Sequence, residues 1–270
     1  MTWSEQVAAM HAGSSRLAVA DTTGPVSGRE LFGRARTAAD FLTDLDGGHG
    51  SAVPALVTTN ADALALLLGG AVADRPLAPL GPRLTVVELA TMVQGTGSRV
   101  LLTEPGFADT ADAIGASTGV RVITVPALPV SSEPLPAPRG DVAFYLHTSG
   151  TTGAPKRVPF TQSVMAARTR VLSGLAAFSP DDRYATGSPL HHLGGLGNIT
   201  AALSAGSAIL PTTRFSHEWW RGLRALGATK CLLVPTMVEM LLTAGYWTQY
   251  RCAPCCTARH RCPPTPCAGC

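Results

Sequence analysis

The stretch from Asp141 to Phe160 reads DVAFYLHTSGTTGAPKRVPF and divides into two unlike halves. Val142 to Leu146 is short, apolar and aromatic. Gly140 bounds it on one side and Thr148-Ser149-Gly150 on the other, so it reads as a buried strand. A run of hydroxyls and glycines follows, Thr148, Ser149, Gly150, Thr151, Thr152 and Gly153, closing on Ala154-Pro155-Lys156. Gly150 and Gly153 can take backbone angles closed to other residues, which lets consecutive N–H groups point at one anion. Four hydroxyls add donors and Lys156 adds a mobile point charge. The ligand chemistry that fits is a polyphosphate.

The plain alternative is a flexible Gly/Thr hairpin, since a short glycine pattern alone is weak evidence. Lysine usage argues against it. Lys156 and Lys230 are the only two lysines among 21 basic residues, and one of them stands at the mouth of the hydroxyl loop. A P-loop NTPase is a poorer match, because Lys156 follows Gly153 by three residues and no Ser or Thr comes after it.

The nine residues Thr148-Ser149-Gly150-Thr151-Thr152-Gly153-Ala154-Pro155-Lys156 resemble the phosphate-loop signature of the adenylate-forming (AMP-binding) superfamily. That family includes acyl-CoA synthetases, luciferases and the adenylation domains of peptide synthetases. Arg157 departs from the pattern, standing where the family usually has Gly, and reads as tolerated variation. Further on, Pro189-Leu190-His191-His192-Leu193-Gly194-Gly195 resembles a second family signature, Pro-Leu-Phe-His-x-x-Gly, whose turn lies beside the acyl pocket. His191 takes the aromatic position and His192 the histidine position. Without the resemblance, the pair reads as two histidines satisfied by backbone in a glycine-rich turn. A metal pair is disfavoured, because adjacent side chains diverge and no third ligand is near.

The resemblance implies an AMP-forming acid–thiol ligase of the acyl-CoA synthetase type. A carboxylic acid is activated as an acyl-adenylate with ATP and Mg2+, and a thiol, commonly coenzyme A, takes the acyl group. Thr148, Ser149, Gly150, Thr151, Thr152, Gly153 and Lys156 are the implied nucleotide-binding residues, and His192 and Lys156 the implied catalytic ones; no protein metal site is assigned. Charge-assisted hydrogen bonds contribute about 1.5–3 kcal/mol each, against a cost of about 1–2 kcal/mol to order each loop residue. The free loop is therefore expected to move and to settle only on nucleotide. A nucleotide-binding protein without chemistry and a peptide-synthetase adenylation fragment stay open as alternatives.

Composition sets the outer bounds. The 270 residues are 46% hydrophobic and 14% charged, with a net charge of +3, too small to point to nucleic acid. The longest apolar run, Ala63 to Ala73, is too short to span a bilayer and contains Gly69-Gly70. With no apolar leader evident, the expectation is a cytoplasmic protein whose partners are small molecules, a carboxylic acid and ATP.

Around the central stretch, strands alternate with helices. Candidate helices cover Trp3 to Met10, a run after Ser27 and Glu30, Ala61 to Leu68 after Thr59 or Asn60, a run after Thr85 and Glu88, and Asp109 to Ala116. Candidate strands cover Leu17 to Ala20, Ala52 to Thr58, Arg99 to Thr103 and Val120 to Val125. Pro76 to Pro82 reads as a turn-rich connection, and residues 126–138, with five prolines, as a connector. Beyond the loop, Thr161 caps a helix to about Leu175, Ser207 to Leu210 and Cys231 to Val234 are strands, and helices follow at Asn198, His217 and Pro235. The Trp219-Trp220 pair and Cys231 read as packing residues without a role in chemistry. The fold class expected is α/β, the N-terminal part of the adenylate-forming fold, with mostly parallel sheets flanked by helices. Residues 1–245 form one partial domain.

The last 25 residues, 246–270, follow a different logic. Six of the seven cysteines fall there: Cys252, Cys255, Cys256, Cys262, Cys267 and Cys270. Cys252-x-x-Cys255 and Cys267-x-x-Cys270 have zinc-ligand spacing, with His260 between. The favoured reading is an out-of-frame, disordered tail. Joining the third base of each codon to the first two of the next, from Pro254 to Cys262, permits Leu-Leu-Tyr-Gly-Ala-Ser-Pro-Leu. That string resembles the family's adenine-binding strand and turn. In the written frame this turn, the ribose-binding acid, the hinge and the C-terminal catalytic lysine have no counterpart, so little turnover is expected of this chain alone.

Overall fold

The structure, a computed structural model, describes residues 1–148, 155–212 and 214–246. In chain order the elements are α1 (Trp3–His11), β1 (Leu17–Asp21), β2 (Gly24–Ser27), α2 (Gly28–Thr43), β3 (Val53–Leu56), α3 (Ala61–Val72), β4 (Leu77–Pro79), α4 (Val86–Thr96) and β5 (Val100–Thr103). A short 3-10 turn, Pro105–Phe107, leads into α5 (Ala108–Thr118) and β6 (Arg121–Thr124). The second half holds β7 (Val142–Thr148), β8 (Lys156–Thr161), α6 (Gln162–Leu175), β9 (Arg183–Thr186), α7 (Leu193–Ser204), β10 (Ala208–Pro211), α8 (His217–Gly222), β11 (Lys230–Leu232) and α9 (Pro235–Thr243).

Two sheets form, in the orders β11-β9-β10-β1-β2 and β6-β5-β3-β4-β7-β8. Every pairing is parallel except β1 with β2 and β7 with β8, which lie at sheet edges. The mostly parallel α/β expectation therefore holds. The first sheet takes β1 from the start of the chain and pairs it with β10, Val19 opposite Ile209. No local sequence signal could reveal so distant a partnership.

Strand residues alternate between two buried faces, which is why the strands read as continuous apolar runs. Ala55 and Leu102 join the main core with Leu64 to Leu68 of α3, whereas Leu56 and Leu101 pack with Leu89, Met92 and Val93 of α4 and Ile114 of α5. Each fully buried Leu contributes about 1.5–3 kcal/mol through water exclusion. Capping chemistry sets the helix starts as read. Ser27 with Glu30 and Thr85 with Glu88 form reciprocal capping boxes, and Asn60 rather than Thr59 caps α3.

Four local expectations needed correction. Helix α3 continues through Gly69-Gly70 to Val72 because the two glycines let helices touch: a Cβ on Gly69 would lie 2.7 Å from Ala35 O and Ala39 N of α2. The Pro76 to Pro82 connection contains β4, a central buried strand. It survives its prolines because it is three residues long and the next N–H, that of Leu80, donates to Ala55 O at 2.9 Å. Residues after the hydroxyl loop form β8, hidden from sequence reading by its proline and mixed polarity. Helix α7 begins at Leu193, well before Asn198.

Residues 126–138 carry no helix or strand but stay tied to α2, through Thr37 Oγ1 to Pro129 O (2.8 Å) and Ser131 N to Gly33 O (3.2 Å). Among the described residues no helix is long and apolar enough to cross a membrane. The tail from residue 247, and with it the zinc and frame readings, lies outside the described residues.

Candidate functional site

Both sequence signatures converge on the carboxyl ends of two adjacent parallel strands, β4 and β7, of the six-stranded sheet. Strand β7 exists because Ala143, Phe144 and Leu146 are buried in the main core, where Phe144 stacks on Phe160 of β8 at 5.2 Å and meets the edge of Trp3 at 6.0 Å. The strand runs on to Thr148, whose register partner across the antiparallel ladder is Lys156. Thr148 Oγ1 also approaches Lys156 O at 3.4 Å.

The nine-residue signature thus opens on the last residue of one strand and closes on the first residue of the next. Thr148 and Lys156 are both exposed. Lys156 makes no ion pair with any described residue. Ser149, Gly150, Thr151, Thr152 and Gly153, with the expectation that the free loop moves, lie outside the described residues.

The second signature reaches the same end of the sheet from the turn between β9 and α7. There Gly195 is dictated by space: a Cβ would fall 2.2 Å from Pro189 O and 2.7 Å from Ser188 O. The His192 carbonyl accepts from the N–H groups of Gly195 (3.0 Å) and Leu196 (2.9 Å), starting α7, and its own N–H donates to Pro189 O at 3.2 Å. The His191 and His192 rings sit 4.2 Å apart, so the two adjacent side chains do not diverge as expected. His191 packs against Gly81, just past β4, with ring atoms 3.0 Å from where a Cβ would stand.

His191 is therefore the packed ring and His192 the exposed one. Burial pushes the His191 imidazole down to about 4, with His192 and Arg83 adding to the effect. His192 is lowered too, by partial desolvation and then by Arg83. Near neutral pH both rings are uncharged, each offering one donor and one acceptor nitrogen.

The sequence reading gave no role to three residues at the hairpin: Arg157, which read as tolerated variation, Tyr145 and His147. Arg157 lies over the Tyr145 ring, 4.7 Å from its centroid, and donates from Nη1 to Thr96 O at 2.8 Å. His147 faces Arg157 across the ladder with a buried Nδ1 that has no partner among the described residues. Burial first, and Arg157 second, lower its pKa. The only signal that could have found this group is the β7–β8 register, which needs the hairpin to be known.

The donor set suits a polyphosphate: a lysine with no ion pair among the described residues and a hydroxyl at a strand end, with neutral imidazoles at the same end of the sheet. Among the described residues no group of three His, Cys, Asp or Glu side chains could hold a metal.

Comparison with known proteins bears on the same region. The sequence profile described as AMP-binding enzyme matches residues 5–258. An indoleacetate–CoA ligase of Aromatoleum aromaticum is 30% identical over 236 residues, 81% of this chain and 46% of the relative. A sulfoacetate–CoA ligase of Cupriavidus necator is 29% identical over 210 residues, 72% of this chain and 41% of the relative. Among solved structures, ATP-bound MatB from Rhodopseudomonas palustris superposes with a TM-score of 0.77 at 26% identity, covering 90% of this chain and 51% of that one. The N-terminal domain of FACL13 from Mycobacterium tuberculosis shares the fold, with a TM-score of 0.83 at 21% identity, covering 94% and 67% of the two chains. The chain spans 41–46% of the length of the curated relatives named here. With a family profile matched from residue 5 to residue 258, this chain belongs to the AMP-binding enzyme family.

Proposed function

We propose that this chain carries the nucleotide-phosphate half of an AMP-forming acid–thiol ligase. In the reaction proposed for the whole enzyme, a carboxylate oxygen attacks the α-phosphorus of MgATP, an acyl-adenylate forms and pyrophosphate leaves. The sulfur of a thiol, with coenzyme A as the proposed acceptor, then takes the acyl group and AMP departs. Thr148, Ser149, Gly150, Thr151, Thr152, Gly153 and Lys156 are the proposed clamp on the β- and γ-phosphates. Lys156 offsets the charge that builds on the leaving pyrophosphate, as preorganised cations do in phosphoryl chemistry. His192, the exposed imidazole at the start of α7, is the proposed catalytic histidine on the carboxylate side.

The observation that carries this reading is the Thr148–Lys156 pair at the carboxyl edge of a parallel sheet, where α/β folds bind their ligands. The relatives' names add support, since both are ligases that join an acid to CoA. The acid class is left to experiment, and sulfoacetate and indoleacetate, for which those relatives are named, head the panel.

The test has two arms on the 270-residue chain. Calorimetric titration with MgATP should show binding. Acid-dependent exchange of labelled pyrophosphate into ATP should be weak or nil, because we propose that the rest of the catalytic machinery lies outside these residues. Absence of MgATP binding would overturn the phosphate-clamp reading, and robust exchange would overturn the proposal of an incomplete catalyst. Binding without exchange in a longer chain of the same gene would favour a non-catalytic nucleotide-binding protein.

A further inference from the structure

Arg157 ties three elements together at the base of the phosphate hairpin. It sits on β8 as the register partner of His147 on β7. Its guanidinium covers the Tyr145 ring at 4.7 Å. Its Nη1 donates at 2.8 Å to the carbonyl of Thr96, the last residue of α4. That carbonyl is one of the four that a helix leaves without an internal partner, and it stands at the negative end of the helix dipole. Among the described residues Arg157 has no carboxylate partner. The ring face and the helix end are what hold it.

Successive strand side chains point to opposite faces. Lys156 and Arg157 therefore project on opposite sides of β8, and Arg157 cannot share Lys156's ligand directly. Any influence must pass through the backbone of the hairpin. That backbone needs support, because among the described residues β8 is an edge strand with only β7 beside it. The ladder step next to Arg157–His147, toward the turn, is Lys156–Thr148.

We infer that Arg157 is a positioning residue for the phosphate hairpin, anchoring β7 and β8 to the carboxyl end of α4 so that Thr148 and Lys156 are set in place before any ligand arrives. This role rests on the proposed polyphosphate site. The anchor combines a cation–π contact with a charge-assisted hydrogen bond, and neither survives loss of the guanidinium. Lysine keeps the charge but not the planar fork, so it should restore the anchor only in part.

The experiment compares the wild-type chain with Arg157→Thr, a strand-compatible residue without charge, and Arg157→Lys. Residue-resolved amide exchange and MgATP titration are the readouts. For Arg157→Thr we expect exchange at hairpin amides of residues 146–148 and 156–158 to quicken about tenfold while α2 and α3 amides hold. MgATP affinity should fall about five- to tenfold, the larger value equivalent to about 1.4 kcal/mol. Arg157→Lys should fall between. Tyr145→Leu, which removes the ring face alone, should give the same local pattern at smaller size, and it carries the test if Arg157→Thr does not fold.

Unaltered hairpin exchange, equal quickening across the whole chain, or unaltered MgATP affinity with a loosened hairpin would each overturn the inference. A wild-type chain that ignores MgATP would overturn the phosphate-site reading on which it rests. That failure shows in the wild type alone, so the two are distinguishable.

Discussion

Thr148 and Lys156 are opposite partners across the β7–β8 ladder, so the ends of the family signature are held within one hydrogen-bonded step of each other. Residues 149–155 must bridge that step. Hairpin connections usually run about two to five residues, and longer ones tend to serve function. The ladder supplies a rigid base, and the exposed ammonium of Lys156 stands on it.

Replacement of Lys156 with alanine should therefore separate binding from stability. Removing a charge-assisted contact to phosphate costs about 1.5–3 kcal/mol, roughly a ten- to hundredfold loss of MgATP affinity. The melting temperature without ligand should change little, because no described acid pairs with this lysine. Titration calorimetry and thermal melts of the same variant decide it. Equal MgATP affinity would remove Lys156 from the site.

The turn that carries the histidines should not tolerate a methyl group at Gly195. The Cβ of an alanine would stand 2.2 Å from Pro189 O, a backbone atom that cannot rotate away. Gly195→Ala should cost about 2–4 kcal/mol of unfolding free energy, within the range of severe single substitutions. Gly194→Ala, whose Cβ would meet nothing within 4 Å, is the matched control and should be nearly neutral. Urea unfolding of both variants checks the contrast.

Gly69→Ala offers a case in which local and tertiary effects oppose each other. Alanine improves helix propensity by about 1 kcal/mol. Its Cβ, however, would press within 2.7 Å of Ala35 O and Ala39 N on α2, and overpacking costs about 1–3 kcal/mol. Two backbone atoms in the way favour the upper part of that range. We expect a net loss of about 1–2 kcal/mol in denaturant unfolding, and a net gain would show that α2 and α3 can separate freely.

Stability should rise with pH through the mildly acidic range. Burial holds the folded His191 imidazole down to about 4, whereas an unfolded one titrates near 6.5. Between those values the unfolded chain binds a proton that the folded ring refuses. The contribution is complete above about pH 6.5 and is lost as pH falls toward 4, at up to about 1.4 kcal/mol per pH unit. His11 and His147 are also lowered, chiefly by burial, and act in the same direction. His191→Phe should flatten the slope of unfolding free energy between pH 5 and pH 7 without abolishing it. An unaltered slope would remove His191 from the account.

What could be read in advance follows from the range of the interactions involved. Capping boxes at Ser27 and Thr85 and the apolar runs of β3 and β5 are local, and they announced themselves. The three-residue strand β4 and the edge strand β8 did not, because prolines and mixed polarity obscure strands whose identity comes from neighbours distant in sequence. Arg157 read as a tolerated departure from a pattern; its partners, Thr96 and Tyr145, are identifiable only once the β7–β8 register and the docking of α4 are known.

The sequence alone determined the chemistry on offer and the family: hydroxyls, glycines and a scarce lysine in a nine-residue order, a composition that builds parallel α/β layers, and local helix caps. Tertiary structure decided which of two adjacent histidines is packed and which is exposed, that the opening and closing residues of the signature face each other across a ladder, and that β1 pairs with β10, Val19 opposite Ile209. The physical reason is that caps and turns are settled within a few bonds. Burial, sheet partnership and the titration of a ring depend on surfaces brought together only when the whole chain excludes water.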